Sequence, residues 1–294
     1  MSSPMKKISK SLGLAVAAAA ALTVISCQKE SNTAGTEPER HPVSFDLSLG
    51  SPDTKIGLDV QASGNLKASW AVNDEVAVIW GDSEPYNYEK FTVTAVSADG
   101  KTATFENASS TFPTSGNVTF GVYYPYHDYH YGWFASTDIF GASGFYKDNF
   151  DLAAAGRYAY YGAWGLTATD GVFPTIQMEQ LCSFFKIPAG TSTGCATENI
   201  FIVINKVIEY GYGAPSSWDL PSTPNFARIK STVNDSSTKK TKADIYMPVF
   251  PNSNALEITM SIRDGASEEK VSYNLGTKAI EAGKVYDLTG KLTP

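Results

Sequence analysis

Cys27 is the residue whose chemistry the sequence specifies most fully. It follows Val24-Ile25-Ser26, and the four residues form a lipobox: an aliphatic residue at −3, a small residue at −1, then cysteine. A signal peptidase needs the small side chain beside the scissile bond, and an acyl chain needs the thiol. Lys6, Lys7 and Lys10 make a cationic start, and Leu12 to Ile25 an apolar run. That run is short for a comfortable membrane span, so residues 1–26 read as a cleaved lipoprotein signal peptide with Cys27 as the lipidation site. A diacylated cysteine (palmitate-like chains) with one further amide-linked chain anchors firmly, because many methylenes are buried together.

The other reactive side chains are few. Cys182 and Cys195 are a candidate disulfide if the fold faces an oxidising compartment, with two buried free thiols as the alternative. Only three histidines are present. His127 and His130 flank Asp128-Tyr129, but without a third matched ligand they read as a polar loop, and no metal site is expected. The chain holds no Walker loop, HExxH helix or glycine-rich dinucleotide turn, so neither an enzyme nor a cofactor is expected. A net charge of −7 without a basic stripe excludes nucleic acid as the expected partner.

Residues 120–164 concentrate aromatic side chains, among them Tyr126, Tyr129, Tyr131, Trp133 and Trp164. Rings with polar tips serve two ends. They pack under a long connection or into a subunit contact, which is the favoured reading, or they stack on sugar rings. The alternative function is accordingly a surface glycan-binding lipoprotein using this segment.

The elements that must position these groups are strands. Gln28 to His41 is polar and aperiodic, a tether occupying residues 27–42. From Val43 the chain alternates: VSFDLSL (43–49) buries Val43, Phe45, Leu47 and Leu49 on one face. ASWAVNDEVAVIW (68–80) reads as two strand pieces broken at Asn73-Asp74. KFTVTAVSADGKTATFENA (90–108) reads as a hairpin turning at Asp99-Gly100, with Phe91, Val93 and Ala95 facing Ala103 and Phe105. NVTFGVYYPY (117–126), IQMEQLCSFFKIPA (176–189), ENIFIVINKVIEY (198–210), ALEITMSIRDG (255–265), EKVSYNLG (269–276) and AGKVYDLTGKL (282–292) continue the style. ADIYMPVFP (243–251) carries an interior proline and is expected at an edge or a bulge. No segment sustains a helical stripe. The fold class is therefore all-β, and the length suits two tandem β-sandwich domains, 43–170 and 171–294, divided at the GLTATDGVFP break.

In order and spacing the chain resembles the fimbrillin (Mfa-like) lipoproteins of Bacteroidetes, subunits of type V pili. Thr54-Lys55, Trp70, and Asn73-Asp74 before Val76-Ala77-Val78 occupy the places of that family's early motif. Tyr124-Pro125-Tyr126 and EAGKVYDLTGKL (281–292) match its later signatures. The resemblance implies two transthyretin-like β-sandwiches. It also implies a non-enzymatic fimbrial (pilus) subunit or adhesin that joins other pilus subunits by β-strand addition. A protease would first remove the lipidated segment with the first strand, after Lys55, or after Arg40 and leave the strand behind. The short stretch after the last strand suits a tip, anchor or accessory place, and Gln28-Lys29-Glu30 resembles a signal for the outer face of the outer membrane. Possible partners are then neighbouring subunits, the outer membrane through Cys27, and a host or microbial glycan or protein receptor.

Overall fold

The computed structural model describes residues 39–49, 59–60, 66–126, 151–156, 159–208, 212–220, 226–264 and 268–292. They are all-β apart from a single helical turn, Leu152–Gly156.

Seven strands form one hydrogen-bonded circuit: β1 (His41–Leu49), β2 (Glu75–Trp80), β3 (Asn87–Val96), β4 (Thr102–Ser110), β5 (Asn117–Tyr124), β6 (Tyr161–Thr169) and β7 (Ile176–Gln180). Their order around the barrel is β1-β4-β3-β2-β5-β6-β7. Where a two-sheet sandwich was expected, closure comes from β1, which pairs antiparallel with β4 and parallel with β7. Alternation fills the interior with Leu47, Phe91, Val93, Phe105, Phe120 and Val122, each with essentially no exposure.

The next strand, β8 (Ser183–Ile187), belongs to another sheet. With β11 (Ile245–Val249) and β14 (Val285–Asp287) it forms a three-stranded sheet of order β11-β8-β14. A four-stranded sheet runs β10-β9-β12-β13, from β9 (Ile200–Asn205), β10 (Phe226–Ser231), β12 (Asn252–Asp264) and β13 (Glu268–Ile280). Pro248 lies in β11, an edge strand, as its missing donor requires.

Several local expectations change. The apolar run 176–189 is two strands in two sheets, with Leu181-Cys182 as the handover between them. Of residues 68–80 only Glu75–Trp80 is a strand. The preceding piece turns at Asn73 (φ 74°) and buries Trp70, whose backbone N–H donates to Gly100 O at 2.9 Å. In β3 a bulge between Val93 and Ala95 shifts the phase, so Ala95 faces solvent and Val96 packs inward.

The segment 212–220 between β9 and β10 is latched to the barrel through Tyr123 of β5. Its buried phenol points at the carbonyl oxygens of Ala214 and Ser217, each 2.7 Å away, and its ring lies 5.7 Å from that of Trp218. Gly165 N–H donates to Pro215 O at 2.8 Å and holds the same loop from β6.

Candidate functional site: the first strand and its groove

β1 is nine residues long, alternating and first in the described fold. Phe45, Leu47 and Leu49 point into the barrel and are 6%, 0% and 5% exposed, while Ser44 and Asp46 face out. On one flank the pairing is long, from His41 opposite Ser110 to Ser48 opposite Thr102. Asp46 Oδ1 accepts from Thr104 Oγ1 at 2.6 Å, and Leu49 N–H donates to Lys101 O at 3.0 Å. The other flank differs. β7 meets β1 only at Leu47, Ser48 and Leu49, with Ser48 Oγ donating to Ile176 O at 3.0 Å.

Ahead of that short contact, the backbone of β1 and the segment Gly171–Ile176 border a cavity of about 620 Å³. Phe173 fills the gap from inside: its ring stacks on Phe45 at 4.6 Å and meets Phe112 and Phe120 at 4.7 and 5.0 Å. Val172 stands at the rim, 71% exposed, one of two large apolar side chains so far out among the described residues. The strand thus closes an apolar barrel with one strong edge and one weak one. Such a gap is suited to backbone pairing by an extended segment.

The expected site residues distribute unevenly. Arg40 is exposed and directly precedes β1. Cys27, Lys55, Tyr129, Tyr131, Trp133, His127 and His130 lie outside the described residues. Tyr126 stacks on Tyr88 with centroids 5.7 Å apart, the two hydroxyls 3.2 Å apart, and Lys90 Nζ 5.5 Å from its ring. Trp164 is half-buried against the core.

The expected disulfide is corrected: Cys182 and Cys195 are both free and buried. Cys182 Sγ accepts from Tyr160 N–H at 3.2 Å where β7 hands over to β8, and burial pushes its thiol up to about 12. β8 then carries the chain roughly 16 Å onward. Cys195 sits beyond it, its thiol donating to Thr193 O at 3.2 Å and its carbonyl accepting from Asn234 Nδ2 at 3.0 Å. Burial also raises the Cys195 thiol.

What sequence reading missed is Phe173. It lies in the GLTATDGVFP stretch taken as a domain break, and a lone aromatic between Val and Pro gives no periodic signal. Among the described residues no group of three or more His, Cys, Asp or Glu side chains converges to hold a metal.

No family model matches the chain, and no curated protein matches it. Solved structures that align with the chain include a "putative cell adhesion protein" from Bacteroides ovatus, at 15% identity and TM-score 0.43 over 84% of this chain and 91% of that one. A "putative adhesin" from Bacteroides ovatus aligns at 13% identity and TM-score 0.40 over 80% of this chain and 77% of that one. A "putative cell adhesion protein" from Parabacteroides distasonis aligns at 8% identity and TM-score 0.35, covering 83% and 84%. At such scores the function of this chain has to be argued from its own residues.

Proposed function

We propose that this chain is a non-enzymatic, lipid-anchored cell-surface protein of the outer membrane. In this reading it is a fimbrial or adhesin subunit of the tip, anchor or accessory kind, joined to neighbouring subunits by β-strand addition. The observation that carries the reading is the place of β1. It is the closing strand of an apolar barrel, held along one edge by β4 and along the other by only three residues of β7. It also follows directly on a polar tether that begins at a lipobox cysteine. Loss of β1 would open a groove floored by Phe91, Phe105 and Phe173, whose rings now contact Phe45. An incoming strand with the same alternation would satisfy the freed backbone groups of β4. The finer reading of the domains as transthyretin-like sandwiches rests on the sequence resemblance.

N-terminal sequencing of protein extracted from the cell surface tests the proposal. A chain beginning at Ile56, produced by cleavage after Lys55, is the expected acceptor form. A chain beginning at His41 would be a released subunit that keeps its own strand. Recovery of only a chain beginning at Cys27 would overturn strand acceptance through this groove.

A further inference from the structure

The four-stranded sheet has two faces, and on the outer one Val203 and Ser261 are buried while Phe201, Lys230 and Arg263 are half-buried. Its inner face is apolar apart from Ser231: Ile200, Ile202, Ile204, Ile229, Ile258, Met260 and Ile262 have no exposure. The opposite face carries cations set against rings. Lys230, Phe201 and Arg263 lie side by side across β10, β9 and β12, and the next row is Arg228, Val203 and Ser261. Lys230 Nζ is 5.9 Å from the Phe201 ring centre, and Arg228 Cζ is 5.0 Å from that of Phe226. Arg263 Nε donates to Ser261 Oγ at 3.2 Å.

On a chain of net charge −7 these two rows hold two of the four arginines together with Lys230, and Glu269 of β13 stands opposite Arg263 as the carboxylate of its row. Among the described residues neither Lys230 nor Arg263 is ion-paired. At the other end of the same face is a cavity of about 410 Å³ lined by Asn205, Lys206, Leu256, Glu257 and Thr259. There Asn205 Nδ2 donates to Thr259 Oγ1 at 3.1 Å, and Glu257 Oε1 accepts from Asn274 Nδ2 at 2.7 Å. An amide, a hydroxyl, a carboxylate and an ammonium around one aliphatic side chain offer the mixed donors and acceptors that a polyhydroxylated ring requires.

We propose that this face binds an anionic polysaccharide. One sugar unit occupies the cavity beside Asn205 and Glu257, and carboxylate or sulfate groups further along the chain meet Lys230, Arg263 and Arg228. The positive row complements the polymer's charge, and charge-assisted hydrogen bonds from guanidinium to carboxylate or sulfate are the strong ones. The cavity favours a sugar over an acidic protein surface, because a row of cations alone would serve either. Phe201 and Asn205 are four residues apart on β9, roughly 13 Å along the strand. Filling both ends therefore takes an oligosaccharide, and a single sugar fills only one. The inference takes its setting from the surface location proposed above, but not from strand addition.

Isothermal titration of the folded chain against polygalacturonate and chondroitin sulfate, with neutral dextran as control, tests it without any fibre assembly. Binding to at least one of the two anionic polymers, weakening as salt is raised, is expected. Lys230→Glu with Arg263→Glu should weaken it at least tenfold while the melting temperature is kept. If charge reversal impairs folding, Lys230→Gln with Arg263→Gln serves instead, with Asn205→Ala as an independent change at the cavity end. Absence of binding to both anionic polymers would overturn the proposal, as would unchanged affinity in the folded variants. If neither polymer binds and the chain instead self-associates through Lys230 and Arg263, the proposal is also overturned and an acidic protein surface takes its place. N-terminal processing of the cell-surface protein is read separately, so either idea can fail alone.

Discussion

A Cβ placed on Gly213 would lie 2.7 Å from Cζ of Tyr123. Gly121 and Gly162 are comparably close, since a Cβ on either would come within 2.9 Å of the same ring. Three glycines from two barrel strands and a distant loop thus form a slot that only a flat ring fills, and the phenol at its end holds Ala214 and Ser217. The latch is a packing requirement first and a hydrogen bond second. Gly213→Ala should therefore destabilise by about 1–3 kcal/mol through overpacking. Tyr123→Phe should cost about 1–2 kcal/mol by removing the phenol donor from the buried Ala214 carbonyl, while Ser217 O keeps the Ala214 N–H. Thermal melts of the two variants check this. Tyr123→Leu added to Gly213→Ala should recover part of the overpacking loss, and full additivity would show that the two residues do not share the slot.

The free thiols give a second prediction. Cys182 is fully buried with its thiol held up to about 12, so at neutral pH it is protonated and shielded. A maleimide reagent should label neither Cys182 nor Cys195 in the native chain from Gln28 onward. After denaturation without reductant it should label both. One intact disulfide would leave none to label and would mean that the turns after β8 are wrongly placed.

Much of this architecture was legible from period-two alternation, and the failures have physical causes. β1, the hairpin of β3 and β4, and the hairpin of β12 and β13 each expose one face, so apolar and polar residues alternate visibly. β6 was missed because Tyr161–Thr169 lies in the glycine- and aromatic-rich stretch read as a connection. Tyr161, Gly162 and Ala163 are buried in succession, with no alternation to see. The run 176–189 fails in the opposite way. Both of its strands are apolar, so nothing in composition marks the handover at Cys182. Barrel closure was invisible for a third reason: parallel pairing of β1 with β7 joins residues some 130 positions apart, and only three pairs make it. At the candidate site the strand could be read from sequence. The cavity beside it depends on Phe173, which has no local signature.

Asp235 sets an acid limit on one turn. Ser237 Oγ donates to its carboxylate at 2.7 Å, and Ser237 N–H at 2.9 Å, and these hydrogen bonds hold Asp235 at about 2. Because the folded value lies below the ordinary carboxylate value of 3.8, the stabilisation is fully present above that value. It is lost as pH falls through about 2. Asp235→Ala should therefore lower the melting temperature by a small, constant amount from pH 5 to 7, and the difference should vanish near pH 2. A difference that grew on acidification would show that the turn is held by something else.

The last prediction concerns β1 as a replaceable part. Leu47 has no exposure and Phe45 is 6% exposed against three rings, so Leu47→Ala or Phe45→Ala in the whole chain should cost about 3–5 kcal/mol. The same side chains should decide whether a detached strand is accepted. A chain beginning at Ile56 lacks β1 and leaves the inward edge of β4 open. A synthetic HPVSFDLSL peptide, supplied during refolding, should restore a cooperative melt by pairing from Ser110 to Thr102. A peptide with Phe45→Asp and Leu47→Asp should fail, because it would bury two carboxylates in an apolar barrel. A peptide with Ser44→Asp changes only the outward face and should succeed. If all three peptides behave alike, β1 is not read through its alternating face. If HPVSFDLSL alone fails to restore the fold, the groove does not accept a strand once β1 is gone.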